Sequence, residues 1–306
     1  MSERNVKQHC KALQEKFKHK IKTEYFHDGV LFEGLATSKE SLLEIRDLEL
    51  RDGDILIDTY PKCGTTWMIQ IVSLILAKGD VDKANEKPIH ERVPFLELYG
   101  EYKQLKDMPI EAQRCMKSHL QLRMLPKQTT EKKVKVIYVA RNPKDTAVSF
   151  YHLYRMDKTY NFQGTWNEFF EMYIDGYLLW GNWFDHIKQY WNAKQDGTFS
   201  EMFLTTYEDM HKNPFKSVKD VATFLNVELD ENTVAKIATE SSFDKMKANP
   251  NTNFRFEEWF DLSKSEFMRK GKVGDWKNYF TVNQSEQFDK RFAEKMEGCS
   301  WKFDYE

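Results

Sequence analysis

The stretch Tyr60-Pro61-Lys62-Cys63-Gly64-Thr65-Thr66-Trp67 gathers a lysine, a glycine, two hydroxyls and an indole directly after the apolar run DILID at 54–58. Gly64 permits a sharp turn, the amides of a following helix start point outward, and Lys62 adds positive charge. That combination suits a phosphate. The nucleotide loop GxxxxGK[ST] places lysine after its last glycine, whereas Lys62 precedes Gly64, so a nucleotide kinase is disfavoured. A second basic stretch, Phe267 to Lys277, carries adjacent Arg269 and Lys270 beside Gly271 and Gly274. A guanidinium fork and an ammonium point charge together grip a phosphate, and the glycines allow close backbone approach. Arg141 opens a third polar turn, Ala140 to Ser149. His119, in Met116-Lys117-Ser118-His119-Leu120, offers an imidazole, whose ordinary pKa suits proton abstraction at neutral pH.

Regular elements must hold these groups. The apolar runs at 54–58, 135–140 and 201–207 suit buried strands. Each precedes a helical pattern: Trp67 to Lys78, Pro143 to Arg155, and Pro214 to Leu225, the last two opened by a first-turn proline. The repeat predicts an α/β fold, a mainly parallel central sheet flanked by helices, with ligands beyond the carboxyl ends of the strands. With no repeat or linker, residues 1–306 are expected to form one domain. The charged, aperiodic stretch from Asn249 to Asp275 reads as a long loop that closes over something.

Composition narrows the function classes. The 306 residues are 41% hydrophobic, enough for a substantial core. Lys and Arg number 46 against 48 Asp and Glu, a net charge of -2 that argues against a nucleic-acid partner held by bulk electrostatics. Cys10, Cys63, Cys115 and Cys299 form no CxxC pair, so free thiols in a reducing compartment and no structural metal are expected. The polar N-terminus and the lack of a long apolar run predict a cytoplasmic protein with no membrane partner.

The three stretches, in the chain order 60–67, 140–149 and 267–277, resemble those of the cytosolic sulfotransferases, whose signatures include YPKSGTTW and RKGxxGDWK. The matched segments run from Tyr60 to Glu286. The resemblance implies a phosphosulfate-binding loop and transfer of a sulfuryl group from 3'-phosphoadenosine 5'-phosphosulfate (PAPS, product PAP) to a hydroxyl or amine of a small acceptor such as a phenol, steroid or other alcohol. It implies His119 as base, Lys62 at the bridging and 5'-phosphate oxygens, Lys117 near the transferring group, and Ser149 restraining Lys62. The loop Lys62 to Trp67, with Cys63, Gly64, Thr65 and Thr66, would hold the cofactor. So would Arg141, Ser149, Arg269, Lys270 and Gly271 at the 3'-phosphate, and Tyr207, Ser241, Phe243 and Met246 with Trp67 at the adenine end. No metal is implied. A catalytically weak PAPS- or PAP-binding protein with a regulatory or carrier role is the competing reading.

In the same resemblance Phe95, from Arg92-Val93-Pro94-Phe95-Leu96-Glu97, faces the acceptor, and Leu153 stands where several relatives carry phenylalanine. The segment 277–286 fits KxxxTVxxxE, which implies a homodimer. Cys63 replaces the usual serine. It is expected either to pack as a serine-sized group or, lying near Lys62 and a helix start, to be a redox-sensitive thiol. Of the other histidines, His152 is expected beside the site, His19 and His27 in solvent, and His90, His186 and His211 carry no motif.

Overall fold

The computed structural model describes residues 3–306. Its first paired element is a hairpin of β1 (Glu24–His27) and β2 (Val30–Glu33). Asp28 and Gly29 join them, both at positive φ, as a two-residue hairpin turn requires. Four more strands follow: β3 (Ile55–Thr59), β4 (Cys115–Ser118), β5 (Lys135–Ala140) and β6 (Glu201–Thr206). They form a parallel sheet in the order β4-β3-β5-β6.

Strands with both faces covered read as continuous apolar runs, and alternate side chains then serve opposite cores. In β5, Val136, Tyr138 and Ala140 enter one core with Leu56, Phe150 and Trp183, while Ile137 and Val139 enter the other with Ile55, Ile57, Val72 and Val221. The three sequence-predicted strands and their helices are present, the latter as Thr65–Leu76, Pro143–Met156 and Pro214–Leu225. Three strands, β1, β2 and β4, are additions, as are further helices such as Glu3–Lys16, Trp166–Asp175, Trp183–Gln195, Glu231–Glu240 and Val282–Lys295. The hairpin is short, and β4 has only four residues, two of them polar, so neither offers a readable period.

Chain order reverses about β3, whose neighbours are β4 and β5, which opens a crevice at the carboxyl ends. The loop 60–64 leaves β3 there, His119 follows β4, Arg141 follows β5 and Tyr207 follows β6. From Asn249 to Gly274 the chain contains no regular element and crosses this crevice, contributing Phe254, Trp259, Phe260 and Phe267 to its wall.

Candidate active site

A cavity of about 680 Å³ runs along the carboxyl ends of the sheet, and every sequence-chosen site residue except Cys63 lines it. Local backbone explains the loop. Lys62 sits at φ 69 and Gly64 at φ 108, on either side of Cys63. A β-carbon on Gly64 would come within 3.1 Å of the Tyr207 ring, so glycine meets both the conformation and the close approach. The helix Thr65–Leu76 starts at once, directing its first amides into the crevice.

The Cys63 side chain turns the other way. It is 0% exposed, packs in the sheet core and lies 3.6 Å from the Thr146 hydroxyl. Burial pushes the thiol up to about 12. The expectation of a lowered, redox-sensitive thiol is therefore wrong: desolvation outweighs the nearby positive charge. Cys63 packs as a serine-sized group, and only its backbone can face a ligand.

The cationic end holds Lys62, Arg141, Arg269 and Lys270. Lys62 Nζ lies 4.1 Å from the centre of the Phe267 ring and makes no ion pair or hydrogen bond among the described residues. No hydrogen bond joins it to Ser149 among the described residues, although both line the cavity. Burial first, then Arg141 and Arg269, lower Lys62 from 10.5 to about 7. Arg141 stacks over Tyr207 at 4.1 Å and donates to the Lys62 and Lys272 carbonyls, yet its buried Nε has no partner. The buried Trp67 indole N–H is likewise unpartnered. Arg269 and Lys270 both pair with Asp275, at 2.6 and 2.5 Å. Asp145 anchors that segment by accepting from the Gly274 and Trp276 amides at 2.8 and 2.9 Å.

Cations that raise one another's energy, beside two orphaned donors, fit a polyanionic nucleotide. The residues expected at the adenine end line the same cavity. Phe243 packs so closely on Gly271 that a β-carbon there would come within 2.2 Å of the ring. Met246 is buried, and Ser241 donates its hydroxyl to the Ile237 carbonyl at 2.8 Å. Trp67 meets Tyr207 edge-on at 5.3 Å.

At the other end His119 Nδ1 lies 2.7 Å from the Thr59 carbonyl. A carbonyl only accepts, so Nδ1 carries the proton and Nε2 keeps its lone pair. Burial, ahead of the charges of Lys117 and Lys62, lowers the imidazole to about 3, so it is neutral. His119 meets Phe95 at 4.9 Å and Trp180 at 5.3 Å, both edge-on, while Lys117 Nζ lies 4.8 Å over Phe95. Leu153, Tyr99 and Tyr160 extend this wall.

Sequence reasoning missed Trp180, which lies in no recognised motif, and Asp145, whose role depends on a segment far along the chain. The remaining histidines divide differently from expectation. His90 and His211 line the cavity, whereas His152 does not and instead bonds the Tyr279 hydroxyl at 2.7 Å. His19 and His27 are partly buried, and His19 packs on Phe162 at 4.9 Å. His186 contacts the His119 carbonyl through Nε2 at 3.1 Å and the Tyr138 hydroxyl through Nδ1 at 2.7 Å.

Comparison with known proteins agrees with this geometry. The family model described as sulfotransferase domain matches residues 52–300. The chain is 42% identical to sulfotransferase 1A1 of Bos taurus over 274 residues, covering 87% of this chain and 91% of that one. It is 43% identical to sulfotransferase 1C2 of Homo sapiens over 267 residues, covering 85% and 88%. Among solved structures, mouse sulfotransferase SULT7A1 complexed with PAP superposes with a TM-score of 0.75 at 32% identity, covering 90% and 95%. A retinol dehydratase complexed with retinol and PAP shares the fold, with a TM-score of 0.82 at 22% identity, covering 99% and 97%. With the signatures, the crevice and the relatives in agreement, the chain belongs to the sulfotransferase family, enzymes that move a sulfuryl group from 3'-phosphoadenosine 5'-phosphosulfate to an acceptor.

Proposed function

We propose that this cavity transfers a sulfuryl group to the hydroxyl of an apolar small molecule, with His119 as base and Lys62 and Lys117 as the cations at the transfer point. The observation that carries the reading is the 2.7 Å contact of His119 Nδ1 with the Thr59 carbonyl, which assigns the ring proton to Nδ1 and the lone pair to Nε2, in the same cavity as both lysines. PAPS, when bound, supplies an electrophilic sulfuryl group on a phosphate leaving group. Arg141, Arg269, Lys270 and the amides of the loop would hold its phosphates, and Trp67, Tyr207, Phe243 and Met246 its base. Phe95, Trp180 and Leu153 hold the acceptor by apolar contact and exclude water, which strengthens the charges around the reacting atoms. His119 Nε2 takes the acceptor proton, and Nδ1–H to Thr59 steadies the imidazolium. Lys62 meets the negative charge that grows on the leaving phosphate, and Lys117 that on the group in flight.

A transfer screen with radiolabelled sulfate on PAPS, across phenols, catecholamines, steroids and bile alcohols, tests this reading. Labelled product is expected for at least one class. PAP binding without transfer to any of them favours the regulatory or carrier reading.

The homodimer and the cytoplasmic location belong to the same proposal. Val282, within 277–286, is 76% exposed, an apolar side chain suited to a small symmetric contact. The four cysteines are unpaired, as a reducing compartment favours. Light scattering after size exclusion is expected to give about twice the 36.5 kDa chain mass, and Val282→Glu to give the monomer. A parent that runs as a monomer at micromolar concentration removes the dimer.

A further inference from the structure

We propose that Glu97 is a positioning residue, whose carboxylate ties the catalytic base to the acceptor wall by holding the His119 backbone and the Trp180 indole on one oxygen. Glu97 is 0% exposed and makes no ion pair within 4.0 Å among the described residues, although its charge reaches Lys117 at longer range. Its Oε1 accepts from the His119 amide at 2.7 Å and from Trp180 Nε1 at 3.0 Å, and its Oε2 accepts from the Ser118 hydroxyl at 3.0 Å. Three donors thus converge on one carboxylate from β4, from the turn after it and from the loop ahead of Trp183. Burial pushes the carboxyl up to about 7, and the donated hydrogen bonds oppose that rise.

The geometry goes beyond satisfying a buried acid. Residues 94–97 run beside β4 as a short added rung: Leu96 N donates to the Lys117 carbonyl and Lys117 N to that of Pro94, both at 3.0 Å. This rung brings Phe95 against His119 and under Lys117 Nζ. Trp180 stacks parallel to Phe95, with 6.4 Å between centres and 6° between planes. It does so at φ 63, a conformation that an indole residue adopts only when its surroundings impose it. Its backbone amide is held by the Leu31 carbonyl at 3.0 Å and its ring by Glu97. Base, cation and both aromatic walls are therefore referenced to one buried side chain. Errors of about 1 Å in such a constellation cost up to about 100-fold in rate.

The inference rests on the sulfuryl-transfer reading, and its test separates the two. Glu97→Met keeps the volume and removes the acceptor. It is expected to lower kcat by about 10- to 100-fold and to raise acceptor KM, with PAP affinity within about twofold of the parent. Glu97→Gln keeps an oxygen of the same reach and is expected to stay within about threefold. Combined with Trp180→Phe, the Glu97→Met effects should be less than additive, because the two side chains act as one unit. By NMR, the Trp180 indole N–H should move upfield and exchange faster in Glu97→Met but not in Glu97→Gln. That readout needs no turnover, so it stands even if no acceptor is ever sulfated. If Glu97→Met does not fold, Glu97→Asp, one methylene too short to reach all three donors, takes its place with the same expected changes. Parent-like kcat, acceptor KM and indole signal in the variant, or a PAP affinity that falls in step with kcat, overturns the proposal.

Discussion

Replacing His119 with alanine is expected to lower kcat by about 10²- to 10⁴-fold while PAP affinity stays within about twofold, because in the proposed mechanism the imidazole acts on the acceptor proton and not on the nucleotide. The backbone favours this proposed role. Only an N–H can face the Thr59 carbonyl at 2.7 Å, so Nδ1 is the donor and Nε2 the acceptor in the neutral ring. Burial lowers the ring to about 3, so it is neutral in the free protein. It gains basicity as negative charge gathers beside it in the complex. The rate is measured by single turnover, to separate transfer from product release. Transfer that survives in His119→Ala would move the base elsewhere, and loss of PAP binding in step with kcat would make the residue structural.

PAP binding is expected to take up close to one proton at pH 8, and its affinity to fall as pH rises above about 7. Lys62, normally 10.5, is lowered to about 7 in the free protein by burial and then by Arg141 and Arg269. A polyanion beside it favours the ammonium, so its pKa must rise on binding. The sign follows from linkage: below about 7 the lysine is already charged and no proton is needed. Above that, each unit of pH weakens binding by up to about tenfold, until the pKa of the complex is reached. Calorimetry in buffers of different ionisation enthalpy reads the proton directly. Lys62→Met should abolish the uptake, bind more weakly, and lose about 10²- to 10³-fold in kcat through the missing charge at the leaving oxygen. Equal uptake in parent and variant would assign the proton to another group and remove Lys62 from the argument.

The central strands β3, β5 and β6 and the helices that follow them were legible. The runs at 54–58, 135–140 and 201–207 and their proline-started helices carry their own periodicity and caps. Asn142, for example, caps Pro143–Met156 by accepting from the Asp145 amide. Strand β4 escaped because four residues that include Lys117 and Ser118 show no apolar pattern. They are a strand because β3 supplies their ladder. The candidate site was legible to the extent that its residues lie in contiguous signatures: Lys62, Gly64 to Trp67, Arg141, His119 and Arg269–Lys270–Gly271 all line one cavity, while Cys63 turns away from it.

The sequence alone determined which chemical groups are present and which anion they suit: the order of lysine and glycine in 60–67, the paired cations at 269–270, and an imidazole after a short strand. Tertiary structure alone decided where each side chain points and how easily it ionises. Cys63 and Lys62 are neighbours in the chain, yet one faces the core with its thiol pushed up to about 12 and the other faces the cavity with its ammonium lowered to about 7. Glu97, Ser118, His119 and Trp180 meet because a bridge to β4 and a positive φ at Trp180 bring distant segments together. Burial, charge proximity and donor convergence depend on distances through space, and local sequence spacing does not encode them.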